Sequence, residues 1–205
     1  MKTRRLVILF AVAVISLTAS GCGYNTLTTK RENVKGKWAN VETQLQRRAD
    51  LINNLVEAAK MAGIQEQEVF GRIAEARSRL LNATTQGPPA DRTPEQRQQI
   101  IDASNTLGGT LGRLLVLQEA YPQLQSNQAF LKLQDEIAGT ENRIAVSRND
   151  YNGAVQDYNT SRARFPMVIT ASLFGFPEEP YFKAQEGAQA APTINANSLR
   201  QDQNK

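Results

Sequence analysis

One thiol, Cys22, and no imidazole at all narrow the chemistry open to this chain of 205 residues. Without histidine there is no Ser/His/Asp or Cys/His nucleophile pair, and the usual His-bearing zinc and di-iron sites lack a ligand they need near neutral pH. A single cysteine makes neither an internal disulfide nor a thiolate cluster. Carboxylates and guanidinium groups remain. Gln134-Asp135-Glu136 and Glu141 invite a metal or acid/base role, yet Asp135 and Glu136 sit about 100° apart on a helix and no two carboxylates aim at one point. Bundle metal sites also recruit a His three residues from a Glu, which this chain cannot supply. The expectation is therefore no catalytic residue, no metal and no cofactor. The densest polar group is Arg47-Arg48-Ala49-Asp50 with Asn53, Asn54 and Glu57. Arg48 falls on an apolar helical seam between Leu45 and Ile52, whereas Asp50 and Asn54 lie off it. Arg48, Asp50, Asn54 and Glu57 thus form either a register-fixing group or a partner-recognition face. In the first case Arg48 pairs with Glu136, Glu141 or Asp150 of a facing helix.

Around the thiol the sequence has a different character. Lys2, Arg4 and Arg5 precede Leu6 to Leu17, an uncharged run in which only Ser16 is not apolar. Such a run is too short for a hydrocarbon core of about 30 Å, which takes roughly 20 residues, and it reads as the charged and apolar regions of a secretory signal. Ala19-Ser20-Gly21-Cys22 follows and resembles the lipobox of bacterial lipoproteins, with Ala19 where that pattern most often has Leu. The resemblance implies cleavage between Gly21 and Cys22, with acyl chains on Cys22. Each buried methylene of those chains adds about 0.8 kcal/mol of membrane affinity. Gly23, rather than Asp, after the Cys is similar to the outer-membrane version of the signal.

These groups have to be carried by helices. Val34, Trp38, Val41 and Leu45, then Ile52, Leu55, Ala59 and Ala62, then Val69, Ile73, Ala76 and Leu80 alternate at spacings of four and three. Arg48 and Glu66 fill the gaps, so one seam predicts a single long helix from about Thr29 to Leu81, weakened at Gly63 and Gly71. Asn82 to Arg92 is turn-forming. Thr93-Pro94-Glu95-Gln96 supplies an N-cap, a first-turn proline and a capping-box glutamine for a second helix to about Ala120. That helix carries Gly108, Gly109 and Gly112, a loss in helix propensity best offset by close approach to a neighbouring helix. Tyr121-Pro122 breaks it, and a third helix runs from near Asn127 to Phe165-Pro166. Val168 to Phe174, ending at Gly175, reads as a short closing helix, and Phe165, Phe174, Phe176, Tyr181 and Phe182 as a plug for the open end. The expected fold is all-α, an elongated antiparallel up-and-down bundle of three long helices plus the short C-terminal one. The expected organisation is a leader over 1–21, an anchor linker over 22–28, the bundle over 29–184, and a disordered polar tail over 185–205.

With the helices placed, several blocks form a recognisable pattern. Trp38 to Glu57, Tyr121-Pro122 with Leu124, Asn127 and Phe130-Leu131, then Leu133 to Tyr158 with Asn159 resemble the LemA family. Phe165-Pro166, Leu173-Phe174-Gly175-Phe176 and Tyr181-Phe182 complete the pattern. The resemblance covers roughly residues 24 to 184 and implies a four-helix bundle in the bacterial envelope, anchored at its amino end. Its members' longer retained hydrophobic helix is replaced here by the shorter run ending at Cys22.

The sequence pI of about 9.3 would ordinarily prompt the question of nucleic acid. The leader, however, takes with it three basic residues and no acid, leaving 21 basic against 20 acidic side chains. The basicity belongs to targeting, and no nucleic-acid partner is expected. The expected protein is non-enzymatic, lipid-anchored in the envelope and facing the periplasm, with its bundle surface offered to another envelope protein. Its rivals are a cell-wall enzyme using a lone carboxylate and a scaffold that self-assembles as a homo-oligomer.

Overall fold

The computed structural model describes the backbone of residues 2–183 and the side chains of 23–183 apart from 113–115, 117 and 118. Six α-helices make up nearly all of it: α1 (Lys2–Met61), α2 (Gln67–Thr84), α3 (Pro94–Ala120), α4 (Pro122–Gln125), α5 (Gln128–Ala163) and α6 (Met167–Leu173). The described residues contain no strand, so the chain is all-α. The predicted tail over 185–205 lies outside the described residues, as do the side chains of the predicted leader.

The seam buries as its spacing requires. Val34, Trp38, Val41, Leu45, Ile52, Leu55 and Ala59 are all fully enclosed. Its partner is α5, which runs antiparallel to α1. Lys30 pairs with Asp157 at 2.5 Å, Lys37 with Asp150 at 2.9 Å, and Gln44 accepts from Arg143 at 3.3 Å. Each step is seven residues along α1 and seven back along α5, so one coiled-coil register holds the two helices together.

The single helix expected over 29–81 is two helices. Gly63, at φ +84, ends α1. Its N–H donates to Lys60 O at 2.9 Å, and that of Ile64 to Ala59 O at 3.2 Å, the paired bonds of a Schellman motif with Ile64 buried beside it. The chain reverses there, and α2 folds back along α1, where Arg77 donates to Ala49 O at 2.9 Å. The three long helices of the expected bundle are thus four: α1, α2, α3 and α5. The start of α3 is capped as its sequence requires. Gln96 N–H donates to Thr93 Oγ1 at 3.2 Å, and Thr93 N–H to Gln96 Oε1 at 2.9 Å. Residues 22–28, expected as a linker, continue α1, and Leu27 is fully buried.

The part of α1 before Trp38 has a different cover: α6 and the extended strap 176–182. The strap lies along α5 on a repeated dipeptide, Tyr151-Asn152 and Tyr158-Asn159. Asn152 donates to Phe182 O at 3.0 Å and accepts from its N–H at 2.8 Å; Asn159 does the same for Glu179 at 2.9 and 3.1 Å. The Tyr151 and Tyr158 hydroxyls donate to Pro180 O and Pro177 O, each at 2.8 Å. From the strap Glu179 enters the interior, where it accepts from Arg97 of α3, with Arg31 of α1 at 4.0 Å. Arg97 lies over the Trp38 ring, 5.9 Å from its centroid. On the other side of Trp38, Glu42 accepts from the indole N–H at 3.0 Å and from Arg92 at 2.7 Å.

The plug expected of five aromatics is only partly formed. Phe176 and Phe182 are buried, whereas Phe165, Phe174 and Tyr181 remain exposed. Within the strap every third residue, Phe176, Glu179 and Phe182, is turned inward and covered, whereas Phe165 and Phe174 precede it.

Each asparagine satisfies both main-chain groups of one strap residue, so Asn152→Ala and Asn159→Ala are expected to cost about 1–3 kcal/mol apiece. Chemical denaturation measures the loss, and faster amide exchange confined to 177–182 locates it. Burial pushes the Glu179 carboxyl above its ordinary value of 4.5, against the downward pull of Arg97 and Arg31. A carboxyl raised by folding contributes fully below its unfolded value, and the contribution is lost as pH rises through the folded one. Thermal melts from pH 4 upward are therefore expected to show wild type losing stability relative to Glu179→Gln, and parallel curves would refute the shift.

Candidate functional site

Arg48 is where the apolar seam is interrupted, and its surroundings come from three helices. The residue is 5% exposed, and its Nη2 lies 2.5 Å from Glu141 Oε1 of α5. Gly108 of α3 makes room for it: a Cβ there would stand 3.1 Å from the same nitrogen. The glycine-rich part of α3 thus admits a guanidinium at Gly108, not a neighbouring backbone, and nothing approaches the corresponding position at Gly112. Desolvation lowers the Arg48 pKa, and the Glu141 carboxylate opposes that. Arg148, two turns further along α5, is lowered by burial in the same way, with Glu141 pulling up and Arg48 pushing down. Its guanidinium is held over the Phe182 ring, 4.1 Å from the centroid, which joins this cluster to the strap.

Beside the ion pair the helices part. A groove of about 400 Å³ is lined by Leu55 of α1, Leu111 of α3, and Gln134, Ile137, Ala138, Glu141 and Asn142 of α5. Its walls are mainly apolar. Glu141, with its side chain 39% exposed, stands in the lining and faces both the groove and Arg48. A carboxylate already engaged by a guanidinium can accept a hydrogen bond from an incoming group, while the aliphatic walls take an apolar side chain.

The other residues expected with Arg48 do not join it. Asp50 pairs with Arg77 of α2 at 3.4 Å, Glu57 with Lys60 at 2.9 Å, and Asn54 is exposed. Glu66, the second polar position on the seam, lies in the turn after α1 and accepts from the Tyr121 hydroxyl at the end of α3. The side chain of Cys22 is not among the described side chains, and the Gly21–Cys22 bond expected to be cleaved falls within the backbone of α1. Leu111, Ile137 and Ala138 do not stand out in the sequence as a site, because a groove arises only where packed helices diverge. The available signals were Gln134 and Glu141, weighed for a metal or acid/base role, and Glu141 as a candidate partner of Arg48. Among the described residues no cluster of three or more acidic or thiol groups is placed to hold a metal ion.

Fold and groove together define an all-helical bundle whose surface carries an apolar cleft rimmed by an ion pair. Residues 37–195 match the LemA family, and the chain belongs to it. Magnetosome proteins MamQ 1 and MamQ 2 of Paramagnetospirillum magneticum are each 29% identical to it over 175 residues, covering 78% of this chain and 64% of theirs. Magnetosome protein MamQ of Magnetospirillum gryphiswaldense is 26% identical over 194 residues, 85% of this chain and 71% of its own. The matched part spans just under two thirds of the first two relatives.

The two members of the ion pair differ in burial, and so do the costs of removing them. Glu141→Ala leaves a buried guanidinium alone, with an expected loss of about 3–5 kcal/mol. Arg48→Met leaves a carboxylate that water can reach and is expected to cost clearly less. Denaturant midpoints of the two variants check the order, and a larger loss for Arg48→Met would contradict it.

Proposed function

We propose that this chain is a lipid-anchored protein of the bacterial envelope that acts by binding another protein, not by catalysis. The observation that carries the reading is the continuity of the helix from the anchor point into the bundle. Cys22 is followed directly by Gly23, already packed against Thr170, and by the buried Leu27 on the same helix. An acylated Cys22 would therefore hold the bundle against the membrane without a flexible tether. Gly23 after the cysteine favours the outer membrane, facing the periplasm.

The groove beside Arg48 and Glu141 is the surface we assign to the partner, an envelope protein offering an apolar side chain next to a hydrogen-bond donor. The carboxylates argue against hydrolysis of a wall polymer. A general acid needs a shielded carboxyl that substrate can reach. Glu141 is reachable but held by Arg48, and Glu179, whose pKa is raised, is 2% exposed and locked to Arg97. The relatives are named for the magnetosome, a designation by place and not by reaction, which agrees with an interaction role.

Cys22→Ser is the direct test. Membrane fractionation is expected to move the protein to the soluble fraction, and intact mass to show the acyl groups gone. Unchanged fractionation with unchanged mass overturns the anchor.

A further inference from the structure

The residues from Phe165 to Pro177 include no charged side chain, and much of this stretch faces outward. Phe165 is 82% exposed, Leu173 74%, Ile169 59% and Phe174 53%, with Val168 beside them. Positions 168, 169 and 173 fall within one face of α6, opposite the buried Thr170 and Ala171, and Phe165 and Phe174 flank the helix at its two ends. Single exposed apolar residues are ordinary, but five on α6 and its immediate flanks form a patch of the kind that marks an interaction site.

The place of this patch in the fold says what covers it. α6 crosses α1 at Gly23, where a Cβ would stand 3.0 Å from Thr170 Oγ1 and 3.9 Å from Met167. The Tyr24 ring, itself partly exposed, meets Phe174 edge-on at 5.1 Å. The patch therefore lies one or two residues beyond Cys22, and the apolar run Leu6 to Leu17 ends about 9 Å back along the same helix at about 1.5 Å per residue. Whether acyl chains on Cys22 or the apolar run itself enters the bilayer, the membrane surface comes level with α6. Tyr24 is a side chain of the type that collects at that level, and the exposed Arg164, next to Phe165 in sequence, offers a cation for anionic head groups.

We propose that the outer face of α6 lies in the interfacial layer of the membrane that holds the amino-terminal segment, so that the bundle makes a second lipid contact and is fixed in orientation. The inference rests on the anchoring proposed above. It is tested with the full-length protein carrying Leu173→Trp, mixed with vesicles of phosphatidylethanolamine and phosphatidylglycerol with or without bromine on the acyl chains. Leu173 is exposed, so the substitution leaves the packing alone, and Trp38, fully buried and about 20 Å further along α1, serves as the internal reference. The expected result is a blue-shifted emission from the introduced indole that loses more than half its intensity to brominated lipid and is shielded from acrylamide. Protein that binds vesicles while the introduced indole stays open to acrylamide and untouched by bromine overturns the inference and leaves the anchor standing. Protein that does not bind vesicles overturns the anchor and the inference with it. Shielding that appears without vesicles as protein concentration rises assigns the face to a second copy and overturns the lipid contact.

Discussion

The fold depends on a carboxylate that had to be taken out of water. Glu179 brings a negative charge from the strap into the interior, where Arg97 from α3 and Arg31 from α1 meet it and Asn159 of α5 holds its main chain. Four parts of the chain converge on one residue. Burying such a group is expensive, and its partners offset the cost only in the one arrangement that brings the four together. Trp38 marks the same level from inside, with Arg97 over its ring and Glu42 on its indole N–H. Glu42 in turn holds Arg92, so the return from α2 to α3 is tied to α1 at the height where the strap is tied.

That level divides the bundle into two regimes. Beyond Trp38, α1 packs with α2, α3 and α5, and aliphatic side chains fill the space between helices. Before it, the flank of α1 and α5 is closed by α6 and by extended chain instead of a second pair of long helices. The groove beside Arg48 belongs to the first regime and the apolar face of α6 to the second. A single helix, α1, carries both, so whatever is bound at the groove stands at a fixed height above Gly23.

Much of this was legible in the residues. The seam from Val34 to Ala59, the capping box at Thr93 and the start of the third helix near Asn127 rest on local rules that tertiary packing leaves intact; the structure adds that Asn127 caps that helix, accepting from Phe130 N–H at 3.0 Å. The reversal at Gly63 was obscured because the spacing of apolar residues continues in phase through Glu66 into α2, although the chain direction does not. Glycine at the left-handed position decided the outcome over periodicity. The strap has no period to read. Which of its aromatics are covered depends on Asn152 and Asn159, residues that resemble solvated polar positions until their partners are known. Arg48 stood out as a charge on an apolar seam, and Glu141 was one of three carboxylates in reach. The choice among them needed the register between α1 and α5, and the groove needed the divergence of three helices.

The arrangement also has a temporal side. Lys30 and Asp157 are 127 residues apart in sequence, and Lys37 and Asp150 are 113 apart. The first turns of the bundle emerge earliest during synthesis, yet their apolar flank is closed only by segments made near the end. Contacts of such long range are slow to form, because the loop between them must be closed before they contribute anything. Leu27, Val34 and Trp38 therefore have no native cover until α5 and the strap arrive. In a protein built in this order the first turns of α1 acquire their final cover only after α5, α6 and the strap have been made.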